Sequence, residues 1–459
     1  MEKVREHWSS KIGFLFAALG AAIGIGVLWK FPYTAGQNGG GLFLLAYVGC
    51  VLLIGIPVFI AELLIGRTSQ RGAILSFDLL EQNKPFWKCA GWLGVISSFL
   101  IMSFYSVVSG WGMSYLLGSF ISSTAGKSAA EVANVFTTLQ NSGDIICLWH
   151  FLFTLITMLI VLSGVRQGIE RWSKIMTQGL FGMLLILVLY CCTLPGFGEA
   201  LRFILTPNPA TFKFSSVIEA LGLAFFTLSL GQGIMFSYGS YMKGDNNIPL
   251  MATVVSLAVV LVSVLASLIV FPVVFSFGFE PAAGIGLIFQ TLPYLFGQLP
   301  GGQILSMIFF TLFTITAITS AIAFLEVCGA NLMEMFGMSR KRALIIVSSL
   351  TFIVGIPAAY SWVGGIFPVW QEIYGTNFLD TIDQLVSIWL IPIGGLITAL
   401  FVGWSWNKEK MEKAFKGGGG SRGLFQVWHL WMRWGVPLLI VLMLLQKSEM
   451  LNLDLLFKK

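Results

Sequence analysis

GAAIGIG at residues 20–26 and SLGQG at residues 229–233 are the stretches on which the reading of this chain turns. Each lies in the middle of an apolar run long enough to cross a bilayer. Each also holds more glycine than a helix interior accepts cheaply, because glycine costs about 1 kcal/mol against alanine there. Close packing of neighbouring helices through small residues accounts for one such cluster. Two clusters, in the first and sixth runs, occupy equivalent places in successive groups of five. That arrangement points to interrupted helices whose freed amides and carbonyls hold a ligand and an ion near the midplane.

The rest of the chain fits this frame. Of its 459 residues 56% are hydrophobic and 10% charged, and mean hydropathy is +0.86. A soluble protein needs roughly 25% charged residues to solvate its surface. A soluble enzyme, a DNA-binding domain and a secreted disulfide scaffold are therefore excluded, nucleic acid is no partner, and the lipid bilayer is the solvent. The expected fold is all-α, a polytopic bundle with spans near 13–35, 41–66, 88–122, 146–163, 174–192, 214–240, 249–278, 301–336, 341–358, 377–403 and 427–446. These eleven crossings divide into two inverted five-helix repeats, about 11–192 and 213–403, and an extra helix at about 427–446, all in one transmembrane domain covering 1–459.

Lys and Arg cluster in alternate connections: Lys3, Arg5 and Lys11; Arg67 and Arg71; Arg166 and Arg171; Arg340 to Arg342; Lys408 to Lys416. The positive-inside rule then puts the N-terminus in the cytoplasm and, with an odd number of spans, the C-terminus outside the plasma (inner) membrane. The opening MEKVREHWSS is too long and polar for a cleaved signal, so the first helix is retained. Six scattered cysteines read as apolar fillers, and three dispersed histidines form no cluster. Gly417 to Gly420 with Ser421 reads as a flexible linker. The connections at 123–145, 193–213, 279–300 and 359–376 read as turns, punctuated by Pro and Gly.

Arg5-Glu6-His7-Trp8, GAAIGIGVLWKFPYTAGQNGGG from Gly20, GIERWSKI (168–175), FFTLSLGQG (225–233), ITSAIAFLE (318–326) and SRKRA (339–343) occur in this order. On these motifs the chain resembles the neurotransmitter:sodium symporters, especially their bacterial amino-acid transporters, shortened to eleven helices. The resemblance implies an amino-acid pocket between the two broken helices. Main-chain amides near Ala22, Gly24 and Gly26, with the Tyr105 hydroxyl, would meet the substrate carboxylate, as unwound donors at a half-helix N-terminus favour an anion. Carbonyls of Phe226 and Thr227, with Ser229, would take the ammonium group. Ile101, Tyr105, Phe226, Ser229, Gln232, Ser320 and Phe324 would line the side-chain pocket, which is mostly apolar and suits an aliphatic or aromatic substrate. Gln232 stands where the family has an aromatic residue. Its amide either reads a polar substrate group or bonds unwound backbone, with the second reading favoured because free backbone groups are near. Gly24, where amine transporters resemble one another in having Asp, favours an intact amino acid.

The resemblance also implies a second sodium site from the carbonyls of Gly20, Ile23 and Thr316 and the hydroxyls of Thr319 and Ser320, a donor set suited to a small hard cation. Such hydroxyls otherwise bond back to the preceding turn. The family's first sodium site would need amides at Val27 and Val259, and hydrocarbon cannot ligate sodium, so one Na+ per substrate is expected. Tyr47, Thr227 and Ser263 match the chloride site, but Leu223 stands where Gln is needed, so chloride independence is expected.

Lys30 and Asp383 would form the outer gate, without the bidentate fork that Arg makes and therefore looser. Arg5 and Glu334, with Trp8, Ser240 and Tyr241 around them, would form the inner one. Glu62 and Glu326 are further carboxylates in apolar runs, where such groups are costly and commonly functional. The reading is a sodium-coupled amino-acid symporter working by alternating access, not an enzyme. The alternatives are a sodium-independent or proton-coupled facilitator or exchanger and, well below it, a membrane amino-acid sensor. The sequence sets no oligomeric state.

Overall fold

A computed structural model describes residues 6–450 apart from 82–84, 122–123, 125, 210–211, 244–245, 280–283, 365–366 and 449. The described residues are helical almost throughout, with a single isolated bridge between Gly40 and Pro207. In chain order the helices are α1 (Lys11–Ala22), α2 (Ile25–Gln37), α3 (Gly41–Ser69), α4 (Ala73–Leu80), α5 (Lys88–Phe120), α6 (Ala129–Gln140), α7 (Gly143–Leu162), α8 (Val165–Cys191), α9 (Phe197–Leu205), α10 (Phe214–Thr227) and α11 (Ile234–Ser240). They continue as α12 (Ile248–Ser276), α13 (Leu292–Gln298), α14 (Gly302–Phe336), α15 (Arg340–Ala359), α16 (Pro368–Tyr374), α17 (378–405), α18 (Lys408–Gly417) and α19 (Arg422–Lys447).

Two crossings are broken. α1 and α2 meet at 58° across a two-residue gap. Ile23 at φ −82°, ψ 82° and Gly24 at φ −98°, ψ −176° leave helical space there. α10 and α11 are separated by residues 228–233, where Ser229, Gly231 and Gly233 all have positive φ. The span expected at 214–240 is therefore two half-helices. Among the described residues α3, α5, α7, α8, α12, α14, α15, α17 and α19 are each long and apolar enough to cross a bilayer, the bent pair α1/α2 makes a tenth such span, and α10 is a shorter apolar helix.

Burial sorts these helices. In their most apolar windows α14 is 83% buried and α5 72%, whereas α8 is 28% buried. At ~1.5 Å per residue both central helices are longer than the hydrocarbon is thick. They are the scaffold against which the broken helices rest, and they pack closely: a Cβ on Gly112 of α5 would sit 2.4 Å from the Phe313 ring of α14. Outer faces such as Leu185, Ile186 and Leu189 of α8 are exposed, as lipid contact requires.

The structure corrects several sequence expectations. The connections read as turns contain helices α6, α9, α13 and α16. α6 starts with a capping box in which Ser128 and Glu131 satisfy each other's backbone N–H, a pattern legible as Ser-x-x-Glu. The fifth crossing begins at Val165, nine residues before the expected start, because the charged stretch 166–171 is itself helical, wound as a π turn over Val165–Glu170. Gly417 to Gly420 is no flexible linker. It is the C-cap of α18, where Gly418 N–H bonds the carbonyls of Ala414 and Phe415 and the Gly418 carbonyl accepts from Ile248 N–H at 2.8 Å. Gly419, at φ +80°, passes so close to Asn247 that a Cβ would sit 2.7 Å from its side chain. Glycine there serves a tight packed turn.

Candidate functional site

The two breaks face each other and are tied together by hydroxyls. Ser229 Oγ donates to the Ala21 carbonyl at 3.0 Å, and Ser320 Oγ, from α14, reaches the carbonyls of Gly20 at 3.2 Å and Ala21 at 3.0 Å. Tyr105 OH, from α5, accepts the Ile25 N–H at 3.2 Å, the first amide of α2. Ser229 is held at φ +55°, a conformation costing a non-glycine residue roughly 1–2 kcal/mol. Its hydroxyl bond across the breaks offsets that cost.

The second break has its own support. Gly231 N–H donates to Glu62 Oε1 at 2.7 Å, and Glu62 of α3 is fully buried. An amide left unpaired at this depth would cost several kcal/mol, so Glu62 stabilises the unwound segment. Gly231 itself admits no side chain, because a Cβ would lie 2.2 Å from the Ile391 carbonyl and φ is +69°. Sequence alone marked Glu62 as unusual but could not supply its partner, which lies 169 positions away.

Between the breaks is a small cavity of about 10 Å³, lined by Ala21, Ala22, Gly24, Gly26, Val27, Tyr105, Phe226, Thr227, Ser229, Ser320 and Phe324. Nine of the eleven residues expected to bind substrate are in that lining. Ile101 and Gln232, also expected there, do not line it. Ile101 is wholly buried on α5. Gln232 donates and accepts nothing through its side-chain amide, so its expected bonding to unwound backbone is not found. Only its main-chain carbonyl is engaged, by Ser98 Oγ. Phe226 closes one side: its ring lies so near Gly26 that a Cβ there would meet it at 2.6 Å.

Of the residues expected at the sodium site, Ser320 and Thr319 lie against Gly20 at the first break. Beyond the Ser320 bonds, Thr319 packs on Gly20, with its Cβ 3.1 Å from where a Gly20 Cβ would stand. Thr319 Oγ1 bonds back to the Thr316 carbonyl at 2.9 Å, and Thr316 Oγ1 bonds back to Leu312. Both are the local bonds of a threonine in a helix. The other expected ion position is different. Val27 and Val259 are both fully buried. Thr227 Oγ1 is already engaged by Tyr47 OH at 2.8 Å and the Leu223 carbonyl at 2.9 Å, and the Ala22 carbonyl accepts Gly24 N–H. Ser263 bonds the Val259 carbonyl of its own helix.

Both approaches to the cavity are shut. On one side Lys30 Nζ lies 2.6 and 2.7 Å from the two oxygens of Asp383 and 4.3 Å from the centroid of the Phe226 ring. Ser387 Oγ adds a bond to Asp383 at 2.9 Å, from a π turn over Leu385–Leu390 that re-aims this stretch of α17. A vestibule of about 560 Å³ lies above, lined by Trp29, Tyr33, Phe136, Gln140, Trp362 and Asp380 among others.

On the other side Trp8 is buried, donating its indole N–H to the Tyr238 carbonyl at 2.9 Å and its backbone N–H to the Tyr241 carbonyl at 3.1 Å. Glu6 accepts Val165 N–H, and Glu170 accepts Ser9 N–H. Tyr241 OH donates to Glu326 Oε1 at 2.6 Å, and Arg340 pairs with the same carboxylate. Glu326 and Arg340 thus form the buried charge pair on this side, which the sequence reading missed by leaving Glu326 without a partner. Arg5 lies outside the described residues. Glu334, its expected partner, accepts Gly72 N–H at 2.8 Å.

The sequence profile of the Sodium:neurotransmitter symporter family matches residues 5–142 and 129–453 of this chain. An uncharacterized sodium-dependent transporter, YhdH, of Bacillus subtilis (strain 168) is 38% identical over 447 residues, 97% of this chain and 98% of its own length. An uncharacterized sodium-dependent transporter of Haemophilus influenzae is 33% identical over 452 residues, covering 96% and 97% of the two chains. Among solved structures, that of MhsT in complex with L-phenylalanine superposes with a TM-score of 0.89 at 37% identity, covering 96% of this chain and 99% of that one.

Proposed function

The chain belongs to the Sodium:neurotransmitter symporter family, and from that premise we propose that it carries a hydrophobic amino acid across the membrane together with one sodium ion. Family membership makes it a sodium-dependent, multi-pass membrane transporter and not an enzyme. The observation that carries the amino-acid reading is the cavity between two broken helices, where unwound backbone and the Tyr105, Ser229 and Ser320 hydroxyls meet apolar walls. Such a site offers hydrogen bonds to an α-carboxylate and an ammonium group and a dry surface to the side chain. The phenylalanine bound in MhsT supports the same class.

In this reading Lys30 with Asp383 closes the outer side and the Trp8, Tyr241, Glu326 and Arg340 assembly closes the inner side. Substrate and sodium stabilise the closed form, and opening of one assembly at a time gives alternating access. One sodium is favoured because the first-site position presents Val27 and Val259, while Gly20, Ile23, Thr316, Thr319 and Ser320 keep an all-oxygen set. One charge suffices: about 2.3 kcal/mol per 100 mV and about 1.4 kcal/mol for a tenfold gradient sustain accumulation of several hundred-fold. Leu223 in place of an amide supports chloride independence.

Thermal stabilisation of the purified protein by each amino acid, in sodium, potassium and choline at matched ionic strength, tests the reading, since a ligand of the folded state raises the melting temperature. Stabilisation by apolar amino acids in sodium alone is expected, with Ser320→Ala raising the sodium needed for half-effect about tenfold, the worth of about 1.4 kcal/mol. Installing asparagine as Val27→Asn with Val259→Asn should raise the measured sodium-to-substrate ratio above one. Equal stabilisation in all three salts, or a ratio of two in the unmodified protein, would sink the one-sodium mechanism.

A further inference from the structure

On the outer face of the bundle, where α17 and α19 meet, Arg433 stands without a counter-charge. Its guanidinium lies 4.1 Å from the centroid of the Trp404 ring and 5.7 Å from that of Trp434. The two indoles meet edge to face at 4.6 Å, and they are 50% and 58% exposed. Among the described residues no carboxylate pairs with Arg433, and its buried Nε has no acceptor. A cation over aromatic rings gains about 0.5–2 kcal/mol, but the rings leave the planar fork of N–H donors without oxygen acceptors. An anion would complete the set.

The backbone holds this arrangement in place. Arg433 is central in a π turn over Trp431–Gly435, and Trp404 lies in another over Phe401–Ser405. Such turns re-aim side chains and recur at functional sites. Gly403 lets the two helices meet, since a Cβ on it would lie 2.7 Å from the Arg433 Cα, and Trp404 Nε1 donates to the Arg433 carbonyl at 3.2 Å. The surrounding charge is of one sign. Lys408 and Arg433 both act through their charge on His429, which lies one turn before Arg433. Glu412 of α18 is already shared by Lys416 at 2.7 Å and Arg422 at 3.7 Å.

The level of the site identifies the anion. Trp404 is in the last turn of α17, beside the polar helix α18, and half-exposed tryptophans belong to the membrane interface, where lipid head groups lie. α18 is tied to the ends of α3 and α12 by Arg67 and Ile248. The same end of α3 reaches Met242, beside Tyr241, through Gln70, so the site is at the Trp8 end. The positive-inside reading makes this the cytoplasmic leaflet, the one rich in anionic lipid. We propose that Arg433, with Lys408 and His429, binds the phosphate of an anionic phospholipid of that leaflet. The guanidinium fork fits two phosphate oxygens, and the acyl chains cover exposed Trp434 and Leu438 further along α19.

The test is thermal melting of the purified full-length protein in detergent, titrated with dioctanoyl phosphatidylglycerol, dioctanoyl phosphatidylcholine or inorganic phosphate, because a ligand of the folded state raises the melting temperature. Phosphatidylglycerol should reach half-effect at a concentration about tenfold or more below phosphatidylcholine, and inorganic phosphate should do nothing in that range. Arg433→Gln should raise the phosphatidylglycerol needed about tenfold, as expected for a lost charge-assisted contact. Lys341→Gln, at an exposed lysine beside Arg340 at the same end, should leave it unchanged. A cooperative melt of Arg433→Gln reports that it folds, and the comparison of lipids on the unmodified protein needs no variant. Equal stabilisation by both lipids would overturn the proposal, as no anion is then selected. Inorganic phosphate as effective as phosphatidylglycerol would overturn it by removing the lipid, and an equal loss in Lys341→Gln would reduce it to the diffuse attraction of a basic face.

Discussion

The cavity is closed at its two ends by assemblies of different thickness. At the Lys30 end one ammonium meets one carboxylate over an aromatic ring, with both side chains about one-fifth exposed and a wide vestibule beyond. At the Trp8 end Glu326 is fully buried and bound by Arg340 and Tyr241, the Trp8 indole is locked to Tyr238, and the chain on either side of it is fastened, by Glu6 to Val165 and by Ser9 to Glu170. A partly hydrated ion pair contributes about 0–1 kcal/mol, whereas stranding one member of a buried pair costs about 3–5 kcal/mol. Breaking the contacts at the Lys30 end therefore costs little, whereas parting the Trp8 end requires several bonds to break together.

The sharpest way to break this comparison is at Arg340. Arg340→Ala leaves Glu326 charged, buried and half-satisfied, and a loss of about 3–5 kcal/mol would shift the closed-to-open balance at that end by a factor of hundreds or more. Labelling of a reporter such as Ser237→Cys, which is wholly buried, should accelerate accordingly, and uptake should fall at least tenfold. Adding Glu326→Gln should recover part of the loss, because the stranded charge is removed. An Arg340→Ala protein with unaltered labelling and uptake would mean that the pair does not hold this end shut.

Asp383→Asn is the matching change at the other end, and its effect should be smaller. Losing a partly exposed pair is worth about 1 kcal/mol, or roughly fivefold faster dissociation of bound amino acid from the Lys30 side. High salt should produce part of the same acceleration in the unmodified protein by screening, and none in the variant. If Asp383→Asn instead matched Arg340→Ala in size, the two ends would be equally thick and the comparison would fail.

What the sequence made legible follows the range over which each signal acts. The broken helices were readable because glycine clusters are local, and the motif resemblance carried nine of the residues that line the cavity. Glu62 and Glu326 stood out by cost, but their partners could not be named. Gly231 is 169 positions from Glu62, and nothing in the composition near Arg340 says that it turns toward Glu326 and not toward solvent. Gly417 to Gly420 failed for the opposite reason. Composition suggested a linker, whereas Gly419 and Gly420 are needed because Asn247 and Phe415 press against them, which only the folded chain reveals. Gln232 was ambiguous because its alternatives differed in what lay beside it, and the folded chain leaves its amide with neither backbone nor side-chain partner.

The finest distinction concerns Lys30 itself. From sequence a lysine in this position implied a looser pair than arginine would give, since it has no planar fork. The folded chain has its single nitrogen within 2.7 Å of both Asp383 oxygens and stacked over Phe226, so the contact is made, though with a point charge that rotates freely and is strongly hydrated. Lys30→Arg should then change the strength of the pair only modestly. Two parallel N–H bonds to Asp383 and a planar face against Phe226 should slow amino-acid dissociation by about two- to threefold, equivalent to about 0.5 kcal/mol. They should also lessen its salt dependence, while sodium affinity stays as it was because the oxygens near Gly20 and Ser320 are untouched. Faster dissociation in Lys30→Arg would show that the larger head group no longer fits beneath the vestibule, and that the thin end depends on the compactness of lysine and not on the strength of its ion pair.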